Sequence, residues 1–252
     1  MQTMPSSGIR SAEAAIRSSP LLKALGHAES APRLPFLTIS RQAGAGGHTI
    51  GQRLVEKLNE VDPAEQPWAL WDKDLVEKVL SESHLEREMV ESLGESHQSW
   101  MQEFLSGLSA VGDTSEAKVY QRVATTIRAL AAMGRVAIVG RGGVYVTRHM
   151  PGGIHLRLVA PFENRVCFMA RQFQLSHDDA VVRVHELDRQ RNAFYHRYWP
   201  SEVLSAESFT LTINTAVADE EWAVQSVIPL ILRKSQAMVA GLSTNIIGVV
   251  GR

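Results

Sequence analysis

One cysteine, Cys167, stands in 252 residues, so no disulfide can form within the chain, and a reducing cytoplasm is the expected setting. Between Val166 and Phe168 it reads as a small buried residue rather than a catalytic thiol. The nine histidines show no HExxH or comparable ligand spacing, which argues against a transition metal held by the protein alone. An excess of charge is also missing: the net charge is −1, which gives no general pull toward nucleic acid or an anionic membrane. No apolar run reaches the ~18 residues that a membrane-spanning helix needs. The first residues lack the continuous apolar stretch of a signal peptide, and Glu13 and Glu29 weaken a transit-peptide reading. What is left, 44% hydrophobic and 21% charged, is the composition of a folded domain, and the length suits one large domain with appended segments.

Residues 1–35 read as a weakly structured arm ending in the breaker-rich "ESAPRLP". From Phe36 on, short apolar runs alternate with helical patterns. Strands are predicted at 36–40, 68–72, 135–140, 154–160 and 208–214. Between them, Ile50, Leu54 and Leu58 form one stripe at helical spacing, and Tyr120, Val123, Ile127 and Leu130 form another. Pro161 opens a helix that contains Cys167. Ser176, three residues before Asp179, marks the start of a long helix. A last helix is expected from about Asp219 to Lys234, kinked at Pro229. This alternation implies an α/β domain over 36–235: a parallel sheet with helices on both faces, and ligands gathered at the carboxyl ends of its strands. The apolar tail 236–252 is compatible with packing on the core or on a second copy of the chain.

The stretch "FLTISRQAGAGGHTIGQRL" is a strand, a glycine loop and a helix start. Gly44, Gly46 and Gly47 let backbone N–H groups approach an anion, and the helix N-terminus favours negative charge. The dinucleotide fingerprint GxGxxG fails, because Thr49 stands where its last glycine belongs. The P-loop GxxxxGK[ST], aligned on Gly46, has Arg41 in place of its opening glycine, Gly47 in place of its lysine and His48 in place of its Ser or Thr. A tight turn that serves packing alone is the plain alternative.

Two further segments, "AIVGRGGVYVTRHMPGGIHLRLVAPFENRVCFMARQ" and "ELDRQRNAFYHRYW…FTLTINTA", together with "ISRQAGAGGHTIGQRL", make the chain similar to the cytidylate kinase-like family, a branch of the P-loop nucleoside monophosphate kinases, over roughly residues 36–235. The resemblance implies a five-stranded parallel sheet in a three-layer P-loop kinase-like fold, with a nucleotide-binding insertion at 84–114 and a lid helix at 176–199. It implies ATP as phosphate donor, Mg²⁺ accompanying it, and a small nucleotide, CMP or dCMP, as acceptor. It also makes Ser40, Arg41, Gly44, Ala45, Gly46, Gly47, His48 and Thr49 the ATP phosphate site. Arg141 falls on the arginine of a "GRD" motif that contacts the acceptor, and Asp72 on an aspartate near the acceptor. Asp188, Arg189 and Arg191 match the lid's "RD..R" cluster. The chain departs from true cytidylate kinases at Gly47, where they carry the loop lysine, and at Gly142, where they carry an aspartate on the acceptor sugar.

Phosphoryl transfer asks for positioning and positive charge around oxygens. From Arg141 to Pro200 there are nine Arg, no Lys and five Asp or Glu, an excess of four positive charges. Arginine grips phosphate through planar, paired N–H groups. Singly, Arg165 and Arg171 read as solvated helix arginines. Arg183 and Arg191, eight apart, share a helix face, and with Arg41, Arg141 and Arg189 they are the groups expected to neutralise charge developing on the transferred phosphoryl group. Asp188 either pairs with Arg191 or Asn192 on its own helix or orients lid arginines. Asp72 is either a helix N-cap or an acceptor contact. His48 either donates to phosphate or is a surface histidine, and Thr49 either touches the phosphate site or completes a helical turn. Trp100, Phe104, Leu105 and Leu108 read as a packing stripe. Arg41 is the candidate replacement for the missing lysine. A lost charged contact costs roughly 1.5–3 kcal/mol, which is tenfold to a hundredfold or more in rate. The alternative to a kinase is a nucleotide- or phosphate-binding regulatory module that has lost turnover; a kinase for a non-nucleotide acceptor is a third reading.

Overall fold

A computed structural model describes residues 34–72, 115–199 and 205–240. The chain runs β1 (Phe36–Arg41), α1 (Gly47–Val61), β2 (Ala69–Trp71), α2 (Ser115–Met133), β3 (Val136–Val139), α3 (Gly143–Thr147), β4 (Gly153–Val159), α4 (Phe162–Phe173), α5 (His177–Tyr198), β5 (Leu211–Asn214) and α6 (Glu220–Val239), with one 3₁₀ turn at Ala206–Ser208. The five strands form one parallel sheet in the order β2-β3-β1-β4-β5. β1 is central, with Ile39 opposite Val139 on one side and Leu156 on the other.

The first five residues of β1 are buried, as a parallel strand covered on both faces requires. On one face, Ile50, Leu54 and Leu58 of α1 pack with Leu37, Ile39, Leu156 and Leu158, and α6 adds Val224, Val227 and Ile231. On the other, Tyr120, Val123, Ile127 and Leu130 of α2 pack with Phe36, Val136 and Ile138. The two apolar stripes read from the sequence therefore fill two separate cores, one per face, which is the three-layer α/β arrangement expected. Ser176 caps α5, accepting the Asp179 N–H at 3.1 Å while donating to Asp179 Oδ2 at 2.6 Å. Asp219 caps α6 by accepting the Trp222 N–H at 2.8 Å.

Several boundaries differ from expectation. α6 continues past Lys234 to Val239 with Pro229 inside it, so the first residues of the supposed tail 236–252 are helix. β5 is shorter than 208–214, because the 3₁₀ turn takes Ala206–Ser208. The five-residue α3 has no expected counterpart. The insertion at 84–114, with Trp100, Phe104, Leu105 and Leu108, and nearly all of the arm 1–35 lie outside the described residues.

Candidate functional site

The site lies at the carboxyl ends of β1 and β3. β1 ends at Arg41, and the chain turns through Gly44 and Gly46, both left-handed with φ of 76° and 74°, before α1 begins. Gly44 has a second constraint: a Cβ there would collide with the Arg165 backbone carbonyl. Gly46 is the N-cap of α1 and offers no side-chain cap, and the helix has no acidic residue in its first turn. The amides that open α1 are therefore met by no carboxylate of their own helix, unlike those of α4, α5 and α6, which carry Glu or Asp there. A helix start of this kind suits an external anion.

A buried arginine and a partly exposed carboxylate hold the loop in shape. Arg165 is 7% exposed; its Nη1 donates to the Ala43 carbonyl at 3.1 Å and to Asp188 Oδ2 at 2.5 Å, and its Nε donates to the Ala160 carbonyl at 3.1 Å. Asp188 Oδ1 accepts the Ala43 N–H at 2.8 Å. One residue of the loop, Ala43, is thus gripped at both its N–H and its C=O by a salt-bridged pair from α4 and α5. Gln42 adds a further tie, its Oε1 accepting the Ala160 N–H at 3.0 Å. This corrects the reading of Arg165 as a solvated surface arginine: the apolar neighbours Val166 and Met169 bury that face of α4. Arg171, in contrast, is exposed.

Around the loop stand three guanidinium groups. Arg41 lies at the end of β1, Arg141 follows β3, and Arg191 projects from α5. Burial pushes the Arg41 pKa down to about 10, with Arg191 and Arg141 lowering it further and Tyr195 and Asp72 opposing. Arg41 is still charged at neutral pH. Burial also lowers the Arg191 pKa against the opposing pull of Asp188 and Tyr195. Arg191 Nη1 is shielded from solvent and makes no hydrogen bond among the described residues, with Asp188 Oδ1 at 3.7 Å. A shielded donor of this kind is costly unless an acceptor arrives. Arg141 has φ of 52°, and its carbonyl accepts the Tyr120 hydroxyl at 2.9 Å. Asp72, just past β2, lies 3.4 Å from His48 Nδ1, which brings the end of β2 to the start of α1.

A cavity of about 330 Å³ opens beside these groups, lined by Ser40, Arg41, Arg157, Asp188, Arg191 and Tyr195 among others. Three arginines against one carboxylate leave a positive lining, and the sequence reading missed part of it. Arg157 was discoverable from β4, where His155 and Arg157 alternate with buried Ile154, Leu156 and Leu158. Tyr195 belongs to an aromatic cluster that ties the end of α5 to α2 and α3. There Trp199 stacks on Tyr145 with ring centres 4.6 Å apart, and Tyr120 meets Tyr198 at 4.1 Å. The Trp199 ring also fills the space beside Gly142, where a Cβ would collide with it.

Not every candidate joins the site. Arg183 is exposed and pairs with Glu186 at 3.3 Å, and Arg189 is exposed; neither lines the cavity. Arg183 and Arg191 share a helical face by spacing, but the two turns between them carry Arg183 away from the loop. Cys167 is exposed rather than buried, because Arg165 and Val166 occupy the inward positions of α4. No cluster of three or more His, Cys, Asp or Glu suited to a metal occurs among the described residues, and no helix among them is long and apolar enough to cross a membrane.

The sequence matches the cytidylate kinase-like family over residues 36–217. No curated protein matches it. Among solved structures, an uncharacterized protein from Eubacterium ventriosum is similar at TM-score 0.55 and 17% identity, covering 78% of this chain and 98% of that one. Shikimate kinase from Acinetobacter baumannii in complex with shikimate aligns at TM-score 0.42 and 18% identity, over 82% and 97% of the two chains.

Proposed function

The chain belongs to the cytidylate kinase-like family, and from that premise we propose that it transfers a phosphoryl group from ATP to a small nucleotide. Membership in a kinase-like family supports nucleotide-dependent phosphoryl transfer in general; the donor, the acceptor and the residue roles are our reading. The observation that carries it is the convergence of Arg41 and Arg191, with Arg141 close by, on a glycine loop whose helix start has no carboxylate of its own.

In this reading the amides from Gly44 to Thr49 bind the donor phosphates, and Arg41, Arg141 and Arg191 balance the charge that spreads over the transferred group. Asp188 is a positioning residue: through Ala43 and Arg165 it fixes the loop's shape. The acceptor phosphate is already anionic, so no general base is needed. Mg²⁺ bound with the nucleotide would neutralise phosphate oxygens. The side-chain oxygens that would support it at this end of the site are those of Thr49, in the first turn of α1, and of Asp72, beside His48. CMP and dCMP head the acceptors to test. The Trp199 ring occupies the space where a side chain at Gly142 would reach, so the acceptor sugar is held by other groups, with Arg141 the first candidate. The protein acts in the cytoplasm, on small molecules rather than nucleic acid.

A second reading has an observation in its favour. Gly47 leaves the loop without its lysine, and a module that binds nucleotide without turning it over would show the same fold. Coupled ADP release across CMP, dCMP, UMP and AMP separates the two. Turnover with one of these above the ATP-only background supports the kinase; saturable ATP binding with no ADP release from any of them supports the module.

A further inference from the structure

We propose that Arg41 takes over the phosphate contact of the missing loop lysine, and that Gly47 lacks a side chain because Arg41 occupies its space. This rests on the reading of the loop as a nucleotide-phosphate site and deepens it by tying the glycine at 47 to the space that the Arg41 side chain takes.

Gly47 is the first residue of α1 and, unlike Gly44 and Gly46, does not have a left-handed backbone. Any L-residue fits its conformation, and most would favour the helix more than glycine does. What excludes a side chain is Arg41: a Cβ at 47 would lie 2.8 Å from Arg41 Cγ, 3.1 Å from Cδ and 3.2 Å from Cβ. The same arginine ends at Gly140, where a Cβ would collide with Nη1. The side chain therefore runs from the start of α1 to the end of β3, bracketed by two glycines.

The guanidinium at its end makes no hydrogen bond or ion pair among the described residues. The like charges of Arg191 and Arg141 act on it, opposed by Tyr195 and, more weakly, by Asp72. A partly buried cation with two cationic neighbours and no ion pair is unfavourable until an anion joins it. In the P-loop pattern, residue 41 is glycine and residue 47 is lysine, whose amine reaches the β- and γ-phosphates. Here both positions are exchanged. A lysine at 47 and an arginine at 41 compete for one space, so either cation serves, but not both.

The test is a double-mutant cycle on ATP binding, read by calorimetry alongside urea unfolding. Arg41→Ala should weaken ATP binding by about tenfold to a hundredfold. Gly47→Ala removes no charge and improves helix propensity, so its stability should hold or rise while ATP binding weakens, because the added methyl displaces Arg41. In the Arg41→Ala background, Gly47→Ala should change binding no further. Arg41→Gly combined with Gly47→Lys should bind ATP more tightly than Arg41→Gly alone. The proposal is overturned if Arg41→Ala binds as the wild type does, or if the two alanine effects simply add. Should Arg41→Ala fail to fold, Gly47→Ala decides alone: unchanged ATP affinity overturns the proposal. A wild-type protein that binds no ATP refutes the phosphate-site reading itself, which is a distinct outcome.

Discussion

Replacing Asp188 by alanine tests whether this carboxylate acts on the loop or on the ligand. Its two oxygens accept the Ala43 N–H at 2.8 Å and Arg165 Nη1 at 2.5 Å. Removing them strands a buried N–H, since Ala43 is 1% exposed, and leaves a guanidinium whose side chain is 9% exposed facing only carbonyls. Breaking a buried pair costs about 3–5 kcal/mol. The Asp188 side chain is itself 28% exposed, and solvent there screens part of the interaction, so roughly 3 kcal/mol is the figure to expect. For a protein of this size that lowers Tm by on the order of 6–12 °C. Asp188→Asn keeps an oxygen for Ala43 and should lose only part of that stability. Arg165→Leu should be damaging alone and show a coupling of about 1–3 kcal/mol with Asp188→Ala in a double-mutant cycle. Urea unfolding of the four proteins is the assay. An Asp188→Ala protein within 0.5 kcal/mol of wild type, roughly the scatter of a surface change, would refute the clamp and return Asp188 to a ligand-facing role.

The other predictions concern the core, the aromatic anchor and pH. Leu58→Ala should cost about 2–5 kcal/mol, because Leu58 is fully buried beneath the sheet and the cavity it leaves can close only in part; a urea midpoint checks it. Trp199→Ala should cost roughly 3 kcal/mol and reduce nucleotide binding by loosening the end of α5 from Tyr145 and Tyr120, whereas Trp199→Phe should restore most of both. Burial pushes the His155 pKa from 6.5 down to about 4, with Lys234 adding to it. The folded state thus favours the neutral ring, and the unfolded chain takes up a proton first as pH falls. His155 should therefore contribute stability above pH 6.5 that is lost between there and about pH 4, by at most about 3 kcal/mol. His155→Gln, measured against wild type across that range, should flatten the difference.

The architecture was legible because its signals are local. Runs such as "FLTIS" and "VAIV" declare buried parallel strands, the Ile50–Leu54–Leu58 stripe declares a helix face, and Ser176 declares a helix start. The glycine loop was legible for the same reason, since three glycines between a strand and a helix have few structural meanings. What escaped depends on distant parts of the chain. Arg165 resembles any helix arginine until Asp188, 23 residues on, and the Ala43 carbonyl claim it. Cys167 lies beside two inward residues, and only packing decides which of the three turns out. Arg183 and Arg191 share a face in projection, but the two turns between them reach further than one cavity. Gly47 looked like a loss when read alone; beside Arg41 it is one half of a contact.

The most direct measurement is calorimetric titration of the wild-type protein with ATP, and with adenosine at matched concentration. The account predicts saturable one-site binding of ATP that weakens as salt is raised, and no comparable binding of adenosine, because the loop amides and guanidiniums recognise phosphate. A flat ATP trace, or equal affinity for the nucleoside, would contradict it.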